Sequence, residues 1–169
     1  EINTLLDCDI VTIYPDSENR ILIGTYFNGM VIIDLPEDKI SSFIPDPLND
    51  RSYNVYALNR DRSGILWIGT RGGIYLYDEN HGTVSWIKKD IHEDRSLIHN
   101  SIMDITEDAK GDMWIGTRRG LSYMVKEKQV FEKYIAIPDN KRYLNNSEVY
   151  CIWIDGEDKI WIGTENGGV

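Results

Sequence analysis

Two cysteines in 169 residues cannot supply the disulfide framework that staples many small secreted domains. Cys8 and Cys151 stand far apart and at different places in the local pattern, so they are read as two free, mostly buried thiols. Histidine is scarce too. His81, His92 and His99 are the full set, and the run from His92 to His99 lacks the His-Glu-x-x-His spacing of a zinc site. No Gly-x-Gly-x-x-Gly or Gly-Lys-Ser/Thr pattern occurs, so no phosphate cradle is indicated. No apolar run reaches 18 residues, which excludes a transmembrane helix from this segment. Positive charge is in the minority, with 18 Lys and Arg against 28 Asp and Glu and a net charge of -10. That balance argues against nucleic acid or membrane contact in this segment. It does not oppose a neutral sugar, whereas an anionic one would need a local basic patch.

What the chain has instead is a repeat. Ile65-Leu66-Trp67-Ile68-Gly69-Thr70 returns as Asp112-Met113-Trp114-Ile115-Gly116-Thr117 and as Lys159-Ile160-Trp161-Ile162-Gly163-Thr164. A worn copy stands at Arg20-Ile21-Leu22-Ile23-Gly24-Thr25. The glycines at 24, 69, 116 and 163 are spaced by 45, 47 and 47 residues, a period that marks an array. Thirteen residues before each Ile of Ile-Gly-Thr comes an aliphatic, Ile10, Val55, Ile102 or Val149, and six residues after it Asp16, Asp61, Asp108 or Asp155. Asp61-Arg62-Ser63-Gly64 and Asp108-Ala109-Lys110-Gly111 read as tight turns, giving a strand-turn-strand hairpin. A glycine-rich turn, a third apolar run such as Ile74 to Tyr77 and a fourth, more polar run such as Thr83 to Lys88 complete each unit. Four short strands per unit make this an all-β chain of β-propeller blades.

A four-stranded blade is too thin to cover both its faces, so neighbours must stack on it. An indole buries roughly 150–250 Å², on the order of 4–6 kcal/mol at most. Trp67, Trp114 and Trp161 are therefore assigned to an inter-blade core. These motifs resemble the two-component-regulator propeller repeat. Val55 to Asp78 and Ile102 to Val125 match its pattern nearly throughout, and Val149 to Val169 as far as it runs. The first copy departs, with Leu22 in place of Trp and Pro15 inside its first strand. The resemblance implies seven-bladed rings, usually two in tandem, in the sensor region of hybrid two-component histidine kinases of Bacteroides-type bacteria. It implies a location on the periplasmic side of the inner membrane, an oligosaccharide ligand derived from a glycan, and a kinase elsewhere in the full protein. About three and a half blades of such a ring are present.

The expected organisation is a lead-in at 1–9, blades at 10–44, 55–89 and 102–136, connectors at 45–54, 90–101 and 137–148, and a half blade at 149–169. The connectors and the glycine-rich turns share one face around the central axis, where loops carry function. Tyr26, Asn28, Arg71, Arg118, Arg119 and Glu165 are the candidate ligand-binding residues there. Rings suit the C–H face of a sugar, and forked or carboxylate groups suit its hydroxyls. Asp16 to Asn19 and Asp155 to Asp158 look faintly like calcium loops but lack the full ligand series. No cofactor, no metal and no catalytic pair is indicated, so the chain is read as a non-enzymatic module. Its partners are an oligosaccharide and, through self-association that would complete a ring, a second copy. The competing reading is a propeller scaffold for protein–protein contact or receptor dimerisation.

Overall fold

The computed structural model describes residues 8–137, 140, 143–157 and 159–168. It is all-β. The first sheet holds β1 (Ile10–Ser17), β2 (Arg20–Thr25), β3 (Met30–Asp34) and β4 (Lys39–Phe43), hydrogen-bonded in that order. The second holds β5 (Val55–Arg60), β6 (Leu66–Thr70), β7 (Gly73–Asp78) and β8 (Thr83–Ile87). The third holds β9 (Ile102–Glu107), β10 (Met113–Thr117), β11 (Gly120–Val125) and β12 (Val130–Tyr134). A two-stranded sheet follows, β13 (Val149–Ile154) and β14 (Ile160–Thr164). Every strand pairing within these sheets is antiparallel, the topology that tight turns between successive strands permit. The first strands touch in sequence, β1 on β5, β5 on β9 and β9 on β13, so they stand like staves about an axis. The sheets fan outward from it as the blades of a partial propeller, three and a half in number.

The hairpin turns show what the repeated Asp does. In the second sheet Asp61 Oδ1 accepts the N–H groups of Ser63 at 2.9 Å and Ile65 at 3.1 Å, closing the turn. Its Oδ2 accepts the indole N–H of Trp67 at 2.8 Å. The same pairing joins Trp114 to Asp108 at 3.1 Å and Trp161 to Asp155 at 3.0 Å. One carboxylate thus fixes both the turn and the tilt of the large side chain six residues on. Asp16, facing Leu22, has no indole to hold and pairs with arginines instead. Of the two stretches that look like calcium loops, Asp16 and Asp155 are engaged in these ways, and Asp158 lies outside the described residues.

The cores lie between sheets. Leu22 and Met30 meet Val55, Leu58, Leu66 and Tyr75 at the first seam. Trp67, fully covered, meets Ile105, Met113, Met124 and Phe131 at the second. Trp114, half-buried, and Leu121 meet Val149 and Ile152 at the third. Trp161 departs from the expected core role. It is 48% exposed, because its face is the one a following sheet covers in the other repeats and no sheet covers it among the described residues. The glycine of Ile-Gly-Thr is set by the same stacking. A Cβ on Gly24 would stand 2.7 Å from the Val55 carbonyl oxygen, and one on Gly69 2.7 Å from Ile102 Cγ2. Val55, Ile102 and Val149, the aliphatics that open β5, β9 and β13, each seat on the glycine of the sheet before.

Two smaller departures concern the connectors and the thiols. Residues 50–53 form a short 3-10 turn, Asp50–Tyr53, where only a structureless connector was expected. Asn49 caps it by accepting the Arg51 N–H at 3.2 Å. The thiols differ from the expectation in burial: Cys151 is exposed and Cys8 only partly covered, rather than mostly buried.

Candidate axial site

The turn after Ile-Gly-Thr is built the same way in each repeat. Thr25, Thr70 and Thr117 are fully buried, and each hydroxyl donates to the carbonyl of the glycine that ends the turn, at 2.8, 2.9 and 2.7 Å. In the fourth repeat Thr164 reaches Gly168 in the same sense at 3.4 Å. The residue after the threonine is then tied to the residue before a first strand. Tyr26 N–H donates to Asp9 O at 2.9 Å, Arg118 N–H to Ser101 O at 3.2 Å and Glu165 N–H to Glu148 O at 2.9 Å. Tyr26, Arg118 and Glu165 are therefore equivalent positions held at one end of the axis, Arg71 takes the same place after its Ile-Gly-Thr, and all four are exposed.

A bulge supplies a second ring of residues. Each first strand slips its register near its start, between Ile10 and Thr12, Val55 and Ala57, Ile102 and Asp104, and Val149 and Cys151. The unpaired residues are Val11, Tyr56, Met103 and Tyr150, re-aimed out of the ladder as bulged residues are. All four line one axial cavity of ~320 Å³ together with Thr12 and Asp104. Burial raises the Asp104 carboxyl pKa, partly offset by the N–H groups of Ile152 at 2.6 Å and Ile105 at 2.8 Å.

The two rings meet. The Tyr26 and Tyr56 rings stand edge to face at 5.4 Å. Burial and then a hydrogen bond with Tyr26 push the Tyr56 phenol up, while Arg118 and Arg71 pull it down. Arg118 Nε lies 3.4 Å from Glu148 Oε1, and the Tyr150 hydroxyl donates to the same oxygen at 3.4 Å. A hydrogen bond with Glu148 raises the Glu165 carboxyl pKa, since two adjacent carboxylates resist ionising together. Of the six residues nominated from the sequence, Tyr26, Arg71, Arg118 and Glu165 share this mouth. Arg119, the next residue on the same turn, is also exposed, and its charge helps hold the His99 imidazole below its usual pKa after burial. Asn28 turns away, its amide donating to Cys8 Sγ at 2.8 Å.

Tyr56, Tyr150 and Glu148 were missed. The bulge throws a strand residue onto the axis, and no periodicity marks it. Glu148 ends a connector without a motif. The arrangement can stack on a sugar ring, donate through arginine and accept through carboxylate.

Residues 49–72 and 96–119 match the model of the two component regulator propeller family. The fold is similar to the extracellular domain of a hybrid two component system from B. thetaiotaomicron, at 25% identity and a TM-score of 0.72, over 93% of this chain and 19% of that one. It is similar to a second such domain from the same organism, at 28% identity and a TM-score of 0.76, over 94% of this chain and 20% of that one. Virginiamycin B lyase from Staphylococcus aureus shares the fold alone, at 19% identity and a TM-score of 0.67, over 94% of this chain and 49% of that one. The chain thus spans about a fifth of the length of the two B. thetaiotaomicron domains. No curated protein matches it.

Proposed function

We propose that this chain is part of the sensor propeller of a hybrid two-component regulator, on the periplasmic side of the inner membrane. It binds a glycan-derived oligosaccharide at the axial mouth and relays a conformational signal to a histidine kinase. The likeness to extracellular domains of such systems supports the location and the pathway. The observation that carries the site is the meeting of Tyr26 with Tyr56 and of Arg118 and Tyr150 with Glu148 at one end of the axis, where Arg71 and Glu165 hold the equivalent turn positions. The exposed rings of Tyr26 and Tyr150 offer flat apolar faces, with Tyr56 buried behind them, and the charged groups beside them offer donors and acceptors for hydroxyls. Signalling follows from differential affinity. A ligand that binds one arrangement of the receptor more tightly shifts the population toward it. The chain itself acts as a binding module, with phosphoryl transfer left to other parts of the receptor.

Calorimetry against a panel of oligosaccharides tests the reading. At least one sugar should bind, and Arg118→Ala with Tyr150→Ala should abolish its heat. Undiminished binding by that double variant would move the site elsewhere. The second reading, self-association, is favoured by the exposed indoles of Trp153 and Trp161 on one sheet. Light scattering would show a mass above the monomer that falls when both are replaced by Ser; a constant monomer mass would remove it.

A further inference from the structure

We propose that the oligosaccharide taken at this mouth is anionic, bearing carboxylate or sulfate groups, and that these sit on a basic shelf made by Lys89, His99, Arg118 and Arg119, with Arg71 on the neighbouring turn. This rests on the binding site proposed above and adds the chemical class of its ligand. A chain with a net charge of -10 should present acidic surface almost anywhere. Here five basic side chains gather on the connector before β9 and on two adjacent turns.

The fold fastens these segments together. Lys89 N–H donates to Asn100 Oδ1 at 2.6 Å, Ser101 N–H to His99 Nδ1 at 3.1 Å, and Arg118 N–H to Ser101 O at 3.2 Å. Arg119 N–H donates to Thr117 Oγ1 at 3.1 Å. Because Nδ1 of His99 accepts, the neutral ring carries its proton on Nε2, which has no protein acceptor among the described residues. The cations are also available. Arg20 and Arg60 have carboxylates supplied by the fold at 2.6 Å. Lys89, Arg71 and Arg119 have none within ion-pair reach among the described residues, and Arg118 has only Glu148 at 3.4 Å. Burial, then Arg119, Lys89 and Arg118, hold the His99 imidazole below its usual pKa, as expected where neighbouring charge is positive.

The shelf is one-sided. Glu148 and Glu165 lie on the β13–β14 side of Arg118, while the unpaired cations lie on the side of the second and third sheets. A sugar spanning the mouth would turn its acidic groups to the shelf and its hydroxyls to the two glutamates. Arginine forks suit carboxylate and sulfate because two N–H groups can meet two oxygens.

The test titrates the 169-residue chain with neutral, uronate-containing and sulfated oligosaccharides of equal length, at about 50 and 300 mM salt. An acidic sugar should bind about tenfold or more tightly than the neutral one, as charged hydrogen bonds imply. Its affinity should fall several-fold at the higher salt, and whichever acidic arm binds better names the group. Lys89→Ala with Arg119→Ala should weaken the acidic arm about tenfold and weaken any neutral binding far less. The His99 ring signals should move with the acidic sugar and stay with the neutral one. Equal, salt-insensitive binding of the neutral sugar would overturn the anionic class and leave the proposed function standing. No binding by any arm would overturn both.

Discussion

The seam between the first and second sheets and the seam between the second and third meet the same requirement with different chemistry. Each must neutralise the buried carboxylate of a turn Asp. At the second seam Trp67 donates its indole N–H to Asp61, and Lys126 crosses from the third sheet to the same oxygen at 2.7 Å. At the first seam Leu22 has no N–H to offer. Asp16 instead accepts from Arg60 at 2.6 and 3.0 Å and lies 3.4 Å from Arg20. Glu79 then bridges both arginines at 2.6 Å. The outer parts differ as well. Phe43 and Tyr77 stack at 4.4 Å across the first seam. Their equivalents at the second, Ile87 and Met124, line a cleft of ~360 Å³. The comparison teaches that the indole is one of two ways to hold the turn acid. Where the repeat wears to Leu, a cross-sheet ion network takes over the same atoms.

Breaking the indole seam should cost most. Trp67→Ala should lower the unfolding free energy by about 3–5 kcal/mol in denaturant titration, through lost burial and an uncovered Asp61. Breaking the ionic seam should cost less. Arg60→Ala should destabilise by about 2–3 kcal/mol, below a fully buried pair because the arginine is partly solvated and Arg20 remains. Acid should weaken the indole seam. Burial raises the Asp61 pKa, but bonds from Lys126, Ser63, Trp67 and the Ile65 N–H outweigh it and bring it to about 2. The folded value is below the unfolded 3.8, so the contribution is complete above about pH 4 and lost as pH falls through 2. The loss should be about 2 kcal/mol, and Asp61→Asn should flatten the pH dependence of melting in that window. Trp161→Ala, on an indole already 48% exposed, should cost about 1–2 kcal/mol by the same measurement, well below Trp67. Arg118→Ala with Arg119→Ala should leave melting within about 0.5 kcal/mol of the parent, because both side chains are exposed.

Much of the fold could be read from the chain. Ile-Gly-Thr, the turn Asp and the opening aliphatic each name a strand or a turn, and their spacing names the repeat. The roles of single residues were less visible. The sequence shows Asp61 as a turn residue and Trp67 as a core residue, but the bond between them depends on how the hairpin folds back. The glycine's cause is further off still, in the first strand of the next repeat. At the mouth, Tyr26, Arg71, Arg118 and Glu165 could be nominated because they follow a fixed motif. Tyr56 and Tyr150 could not, since a one-residue bulge rotates a side chain away from the face that alternation predicts. The basic shelf was hidden by a global charge of the opposite sign and by segments some 30 residues apart, as Lys89 and Arg118 are.

The most direct measurement is an NMR titration of the chain with the sugar that binds best in calorimetry. Amide shifts should concentrate at Tyr26, Tyr56, Arg71, Arg118, Tyr150 and Glu165, on the axial end of the first strands and their adjoining turns. Shifts confined to the outer strands β4, β8 and β12, with that end of the axis unmoved, would contradict it.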